Sequence, residues 1–138
     1  MAIQFHSEFS KFSLSDSRRT SSWLARISKK ERKSIESLSY VFCSDAYLRD
    51  LNRKFRGQTY LTDILTFNYS EKPALTGEIY ISIDRVKENA IEYKQPFSKE
   101  LRRVMAHGLL HLIGYDDKTV KQKALMRKKE DACLSLWK

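Results

Sequence analysis

The period of apolar and polar positions changes several times along the chain, and each change marks an element. Residues 2–6 alternate, with Ile3 and Phe5 on one side, and predict a short strand. Asp16 or Ser17 can cap a helix running to about Ser34, in which Trp23, Leu24 and Ile27 form the buried side. Residues 38–43 are β-branched and aromatic and predict a second strand. Asp45 is the expected cap of a second helix, closed by Gly57 just past its C-terminus. Residues 64–69 and 77–83 predict two strands, joined around Glu71-Lys72-Pro73 into an antiparallel hairpin. Residues 84–93 read as helix. Ser98 is expected to cap a further helix that reaches Ile113 and is stopped by Gly114. A last helix spans residues 119–136, with Leu125, Met126, Ala132, Cys133 and Leu136 facing inward. This order predicts an α+β fold in which about five helices pack on one mixed four-stranded sheet.

Length and composition narrow the class. The 138 residues fit a single domain over positions 1–138, and a hydrophobic fraction of 41% supports one core. No stretch approaches the roughly 20 apolar residues of a membrane span, and the start shows no basic segment followed by an apolar one. The expected location is the cytoplasm, with no membrane partner. Cys43 and Cys133 lie far apart in sequence and form no Cys-x-x-Cys pair, so both are expected as buried free thiols rather than ligands.

Charge adds a partner. The net charge of +9, from 26 basic against 17 acidic residues, favours a polyanion, of which nucleic acid is the commonest in a cytoplasm. The second helix organises that charge. Leu48, Leu51 and Phe55 make its apolar face, while Arg49, Asn52, Arg53 and Arg56 at i, i+3, i+4 and i+7 make another face without an acidic residue. Such a face suits phosphate tracking and makes Arg49, Arg53 and Arg56 the expected nucleic-acid contacts; its plain alternative is a solvated surface. For the basic residues of the last helix (Lys121, Lys123, Arg127, Lys128, Lys129) the solvated reading is the better one.

The chemistry concentrates in residues 104–113, VMAHGLLHLI, where two histidines interrupt an apolar run. At i and i+4, His107 and His111 share one helix face, so both imidazoles can reach one ion. Burying an unpartnered imidazole costs a few kcal/mol (roughly, on polar-burial scales), and a metal removes that cost for both. Gly114 then lets the chain reverse, and Asp117 returns ten residues beyond His107 as the expected third ligand. Three protein ligands and an open position suit one zinc ion per chain. His6 has no such neighbours and is expected to be a strand-edge residue.

The block His107-Gly-Leu-Leu-His111-Leu-Ile-Gly114-Tyr-Asp-Asp117 resembles the signature H-G-x-L-H-L-x-G-Y-D-H of the YbeY family of zinc endoribonucleases. Asn52-Arg-Lys-Phe-Arg56-Gly57, Thr62-Asp63-Ile-Leu-Thr-Phe67 and Gly77-Glu-Ile-Tyr-Ile-Ser82 extend the resemblance in family order. One position departs from it: Asp117 stands where the family has histidine. A carboxylate remains a sound zinc ligand, though it makes a bound water less acidic and can change metal preference. Asp116 is the neighbouring alternative, but it occupies the family's own Asp position. The resemblance implies a zincin-like metal-binding helix and turn, Arg56 as the functional arginine, and a monomer or weak dimer. It further implies maturation of ribosomal RNA at the small-subunit 3′ end and ribosome quality control.

Two other readings compete. The metallopeptidase motif H-E-x-x-H shares the ligand spacing but needs a Glu where this chain has Gly108. A metal-braced RNA-binding factor for ribosome assembly would need no catalytic base, and the sequence displays none. A metal-dependent endoribonuclease, with Arg56 holding the scissile phosphate opposite the metal, is the principal expectation.

Overall fold

The alternating N-terminal segment forms β1 (Ala2–Ser7), in a computed structural model that describes residues 2–9, 11–58 and 62–138. It is followed by α1 (Ser17–Lys30), β2 (Ile35–Cys43), α2 (Asp45–Arg56), β3 (Ile64–Asn68) and β4 (Leu75–Ser82). Helices α3 (Ile83–Glu92), α4 (Phe97–Ile113) and α5 (Val120–Ser135) complete the chain. The four strands form one mixed sheet in the order β1-β2-β4-β3. β1 and β4 both run parallel to β2, and β3 returns antiparallel to β4 as the expected hairpin. The α+β architecture and the element order agree with the sequence reading. Among the described residues no helix is long and apolar enough to cross a membrane.

Sheet and helices meet in one main core. Trp23, Leu24 and Ile27 of α1 pack with Leu38, Tyr40 and Phe42 of β2 and with Ile79 and Ile81 of β4. The apolar stripe of α4 (Leu101, Val104, Met105, Leu109, Leu112) lies on the same side and is almost fully excluded from water. Tyr40 donates its hydroxyl to the Met105 carbonyl at 2.8 Å, and Trp23 Nε1 donates to the Cys133 carbonyl at 2.8 Å. Both bonds satisfy a polar tip that burial would otherwise penalise. α2 covers the other face of the sheet through a small cluster of Cys43, Leu48 and Leu65. Cys43 and Cys133 are buried free thiols, and burial raises them to about 12 and about 11, which leaves them unreactive near neutrality.

Several details differ from expectation. Ser44, not Asp45, caps α2 by accepting from the Tyr47 N–H; Asp45 is instead engaged by the Ser82 hydroxyl at 2.7 Å and by Arg85. Asp16 occupies the cap position of α1 without a side-chain bond; that helix ends at Lys30, where Arg32 turns left-handed (φ 58) and the Lys33 N–H closes onto the Ser28 carbonyl, and β2 begins at Ile35, three residues earlier than expected. α4 starts at Phe97 after Pro96, so Ser98 lies inside its first turn and caps nothing. Asn52 is fully buried rather than part of an arginine face, Phe55 is 60% exposed rather than packed, and Asp50 interrupts the basic surface by pairing with Arg53 at 3.4 Å. On α5, Leu125 and Ala132 face outward. Glu130 takes an inward position between Met126 and Cys133.

Gly108 sets how closely α4 approaches the sheet. A Cβ there would lie 2.8 Å from both Ile64 Cδ1 and Ile79 Cγ2, and the second of these belongs to a fully buried side chain. Gly108→Ala would gain about 1 kcal/mol of helix propensity. Overpacking opposes that with roughly 1–3 kcal/mol. The expected net result is a loss of about 1 kcal/mol in urea unfolding, and a stability equal to or above the parent would show that the sheet yields at Ile79.

Candidate metal centre

Two elements and one turn assemble the site. The 3.6-residue period of α4 places His107 and His111 one above the other, with ring centroids 4.6 Å apart and planes at 78°. Gly114 ends the helix with φ 127, and the N–H groups of Gly114 and Tyr115 return to the Leu110 carbonyl. The Tyr115 hydroxyl donates to Glu31 at 2.6 Å, and Lys129 pairs with the same carboxylate at 3.0 Å, which fastens the turn to α1 and α5. The turn delivers Asp117 Oδ2 to 3.3 Å from His107 Nε2 and 3.4 Å from His111 Nε2.

Those separations test the fit of a metal. A tetrahedron with arms of about 2.0–2.1 Å has edges of about 3.3–3.4 Å. The two nitrogen–oxygen distances therefore match two edges of a zinc site, and all three donor atoms lie within 4.8 Å of one another. Asp116 is exposed and lies outside this triad. Two imidazoles and a carboxylate form a donor set suited to zinc, and the residues fit it.

Glu130 of α5, to which the sequence reading gave no role, completes the arrangement. Its Oε2 lies 2.6 Å from His107 Nδ1, which directs Nε2 toward Asp117. Its Oε1 accepts from Arg103 Nη1 at 2.9 Å, while Glu100 receives two further bonds from the same guanidinium. Glu100 and Glu130 are each only 2% exposed. Two buried carboxylates thus share one cation, and the surplus negative charge faces the histidines. Burial opposes the charged form of His107, but the bond to Glu130 and the charges of Glu130, Asp63 and Asp117 outweigh it, and its pKa is raised. Burial likewise opposes ionisation of Glu130, yet His107 and Arg103 hold it below the usual carboxylate range. A dication on the exposed side of the imidazoles would balance this field.

Around the triad runs a cavity of about 610 Å³, walled by Arg56, Thr62, Asp63, Thr66 and Lys118 besides the three donors. A second hollow of about 290 Å³ opens beside it toward Lys123 and Arg127 of α5. Asp63 borders both; burial pushes its carboxyl above the ordinary range despite the nearby His107 and Arg103 charges. Arg56 Nη2 donates to the Thr66 carbonyl at 2.7 Å, and its guanidinium lies 5.5 Å from the Phe67 ring centre. Arg56 therefore reaches the site. Arg49 and Arg53 stay on the exposed surface of α2 and line neither hollow.

Glu130→Gln should lower metal affinity about 10–100-fold, the usual cost of losing a carboxylate behind a ligating histidine. The loss should depend on pH in a defined direction. In the parent protein the raised pKa lets protons compete with metal up to a higher pH, so the affinity gap is widest in alkaline buffer and narrows on acidification. Competition with a chromophoric chelator across pH reads both, and a pH-independent gap would show that Glu130 acts only through packing.

The family model described as endoribonuclease YbeY matches residues 2–138. A relative from Cytophaga hutchinsonii named endoribonuclease YbeY is 52% identical over 137 residues, covering 99% of this chain and 96% of its own. One of the same name from Flavobacterium johnsoniae is 37% identical over 135 residues, covering 98% and 96%. The solution structure of TM1509 from Thermotoga maritima is 33% identical and superposes with a TM-score of 0.69, covering 98% of this chain and 88% of that one.

Proposed function

The chain belongs to the endoribonuclease YbeY family, and from that premise we propose that it cleaves single-stranded ribosomal RNA at a site built for one zinc ion. The observation that carries the reading is the spacing of His107, His111 and Asp117, two edges of which match a tetrahedral zinc site. Zinc held by these three residues would polarise a phosphoryl oxygen and lower the pKa of a water in the open position. Everything else is done by the chain. Glu130 orients His107 and keeps its Nε2 directed at the site. Arg56, fixed on the Thr66 carbonyl by one N–H, retains donors for the non-bridging oxygens of the scissile phosphate. Gly108 offers no carboxylate after the first histidine, so the peptidase route through a glutamate base has no counterpart here.

The biological setting we propose is maturation of small-subunit ribosomal RNA at its 3′ end, together with ribosome quality control. The basic surface supports an RNA partner, because the chain carries +9 and Arg56 and Lys118 stand on the cavity wall. Elemental analysis combined with RNA cleavage before and after chelation tests the proposal. One zinc per chain, with cleavage lost on chelation and restored by zinc, is the expected outcome. Cleavage that persists in metal-free protein would end the reading.

A further inference from the structure

Aromatic side chains that a core would ordinarily bury lie open on the α2 side of the sheet, near its β3 edge. Phe55 is 60% exposed and Tyr47 39%. These rings form a connected row. Phe55 meets Phe67 edge-on at 5.9 Å, Phe67 meets Tyr80 at 5.7 Å, and Tyr80 stacks with Tyr47 at 6.5 Å. Cations lie over two of them: Lys54 Nζ is 5.7 Å from the Phe55 centre, and the Arg56 guanidinium is 5.5 Å from that of Phe67. Packing does not account for Phe55, because the buried cluster of Cys43, Leu48 and Leu65 closes without it. Phe55 also directly precedes Arg56, so the open ring and the cavity-lining guanidinium leave the same last turn of α2.

We propose that Phe55, backed by Phe67, is a stacking platform for an unpaired base of the RNA whose phosphate Arg56 holds. The proposal rests on the endoribonuclease reading and adds to it the residue that selects single strands. A base can lie on this ring only after leaving a duplex, whereas any unpaired base offers a π-face. The flanking cations favour RNA over a protein partner, since a nucleotide brings a phosphate with each base. The row is also continuous with the wall of the metal cavity through Arg56.

Binding of a fluorescent single-stranded RNA, intact or carrying abasic riboses, tests the platform. Measurements cover the parent protein and its Phe55→Ala, Phe55→Leu and Phe55→Trp variants. Ile91→Ala serves as the control, since that side chain is 75% exposed on α3. Phe55→Ala and Phe55→Leu should weaken binding of intact RNA roughly tenfold, Phe55→Trp should restore it, and Ile91→Ala should change nothing. Abasic RNA should bind the parent about as weakly as intact RNA binds Phe55→Ala. KM for cleavage should rise with kcat little altered, at unchanged unfolding temperature. Parent-like affinity in Phe55→Leu, or an equal loss on intact and abasic RNA, would overturn stacking. Unchanged affinity and KM in Phe55→Ala, with a parent that still cleaves RNA, would overturn the platform, leave the rings to a protein partner, and leave the nuclease reading standing. A parent that neither binds nor cleaves RNA would remove both.

Discussion

Alanine in place of His111 is expected to give a folded protein that retains no metal and cleaves no RNA. His111 is the cleaner of the two histidines to remove. Its ring is partly open to solvent and meets the other two members of the triad, Asp117 at 3.4 Å and the ring of His107. His107 also carries the bond to Glu130 and through it the Arg103–Glu100 pair, so its loss would leave a buried carboxylate short of a partner. A full set of four zinc ligands supplies about 10–16 kcal/mol, so one ligand carries roughly 2.5–4 kcal/mol, or a loss of about 10²–10³-fold. Elemental analysis should therefore find the variant empty at concentrations where the parent is loaded. Added zinc should raise the unfolding temperature of the parent and not of the variant, because only a bound ligand shifts the folding equilibrium. A variant with parental zinc content would mean that the ion sits elsewhere, and parental cleavage without metal would separate the chemistry from this triad.

How much of this was legible in the sequence depended on how local each signal was. The histidine pair lies within one helical turn, so its geometry follows from the period of α4 alone. The cap of α5 carries an equally local signal that the expected span of 119–136 passes over: Thr119 precedes the helix and accepts from the Gln122 N–H, while the Gln122 side chain returns to the Thr119 N–H. Glu130 was not legible, because its partner is 23 residues away and its helix is charged on nearly every side. The available signal was its spacing, an acid at i+4 from Met126 and i−3 from Cys133, which places it on the inward face. The cap of α2 shifted by one residue for a tertiary reason. Ser44 and Asp45 are both good caps, but Ser82 and Arg85 claim the Asp45 carboxylate. The apolar face of α2 departs from its expected stripe beyond Leu51, where the helix turns Asn52 inward and leaves Phe55 beyond the small cluster that Leu48 anchors. Periodicity reports which residues share a face; it does not report where the opposing surface ends.

Arg56→Ala is expected to separate cleavage from metal binding. The guanidinium is exposed and takes no part in the donor triad, and its hydrogen bond among the described residues is to the Thr66 carbonyl on an edge strand, which water can replace. Neither the fold nor the zinc content should change. The loss falls on the transition state, where negative charge accumulates on the phosphoryl oxygens and a fixed donor is worth about 2.7–4 kcal/mol. That corresponds to kcat lower by roughly 10²–10³, with a smaller change in KM. Arg56→Lys should recover little of it. An ammonium restores the charge but not the planar fork, which bonds Thr66 with one arm and leaves the others free to meet a phosphate. Arg49→Ala and Arg53→Ala provide the contrast, since neither side chain lines the cavity and Arg53 is already paired with Asp50. Their effects should appear in KM and weaken with salt, as expected of phosphate contacts away from the reacting bond. If Arg56→Ala raised KM alone and left kcat intact, Arg56 would be one more backbone contact. Stabilisation of the transition state would then have to come from elsewhere on the cavity wall, where Lys118 is the nearest remaining cation in sequence to the metal ligands.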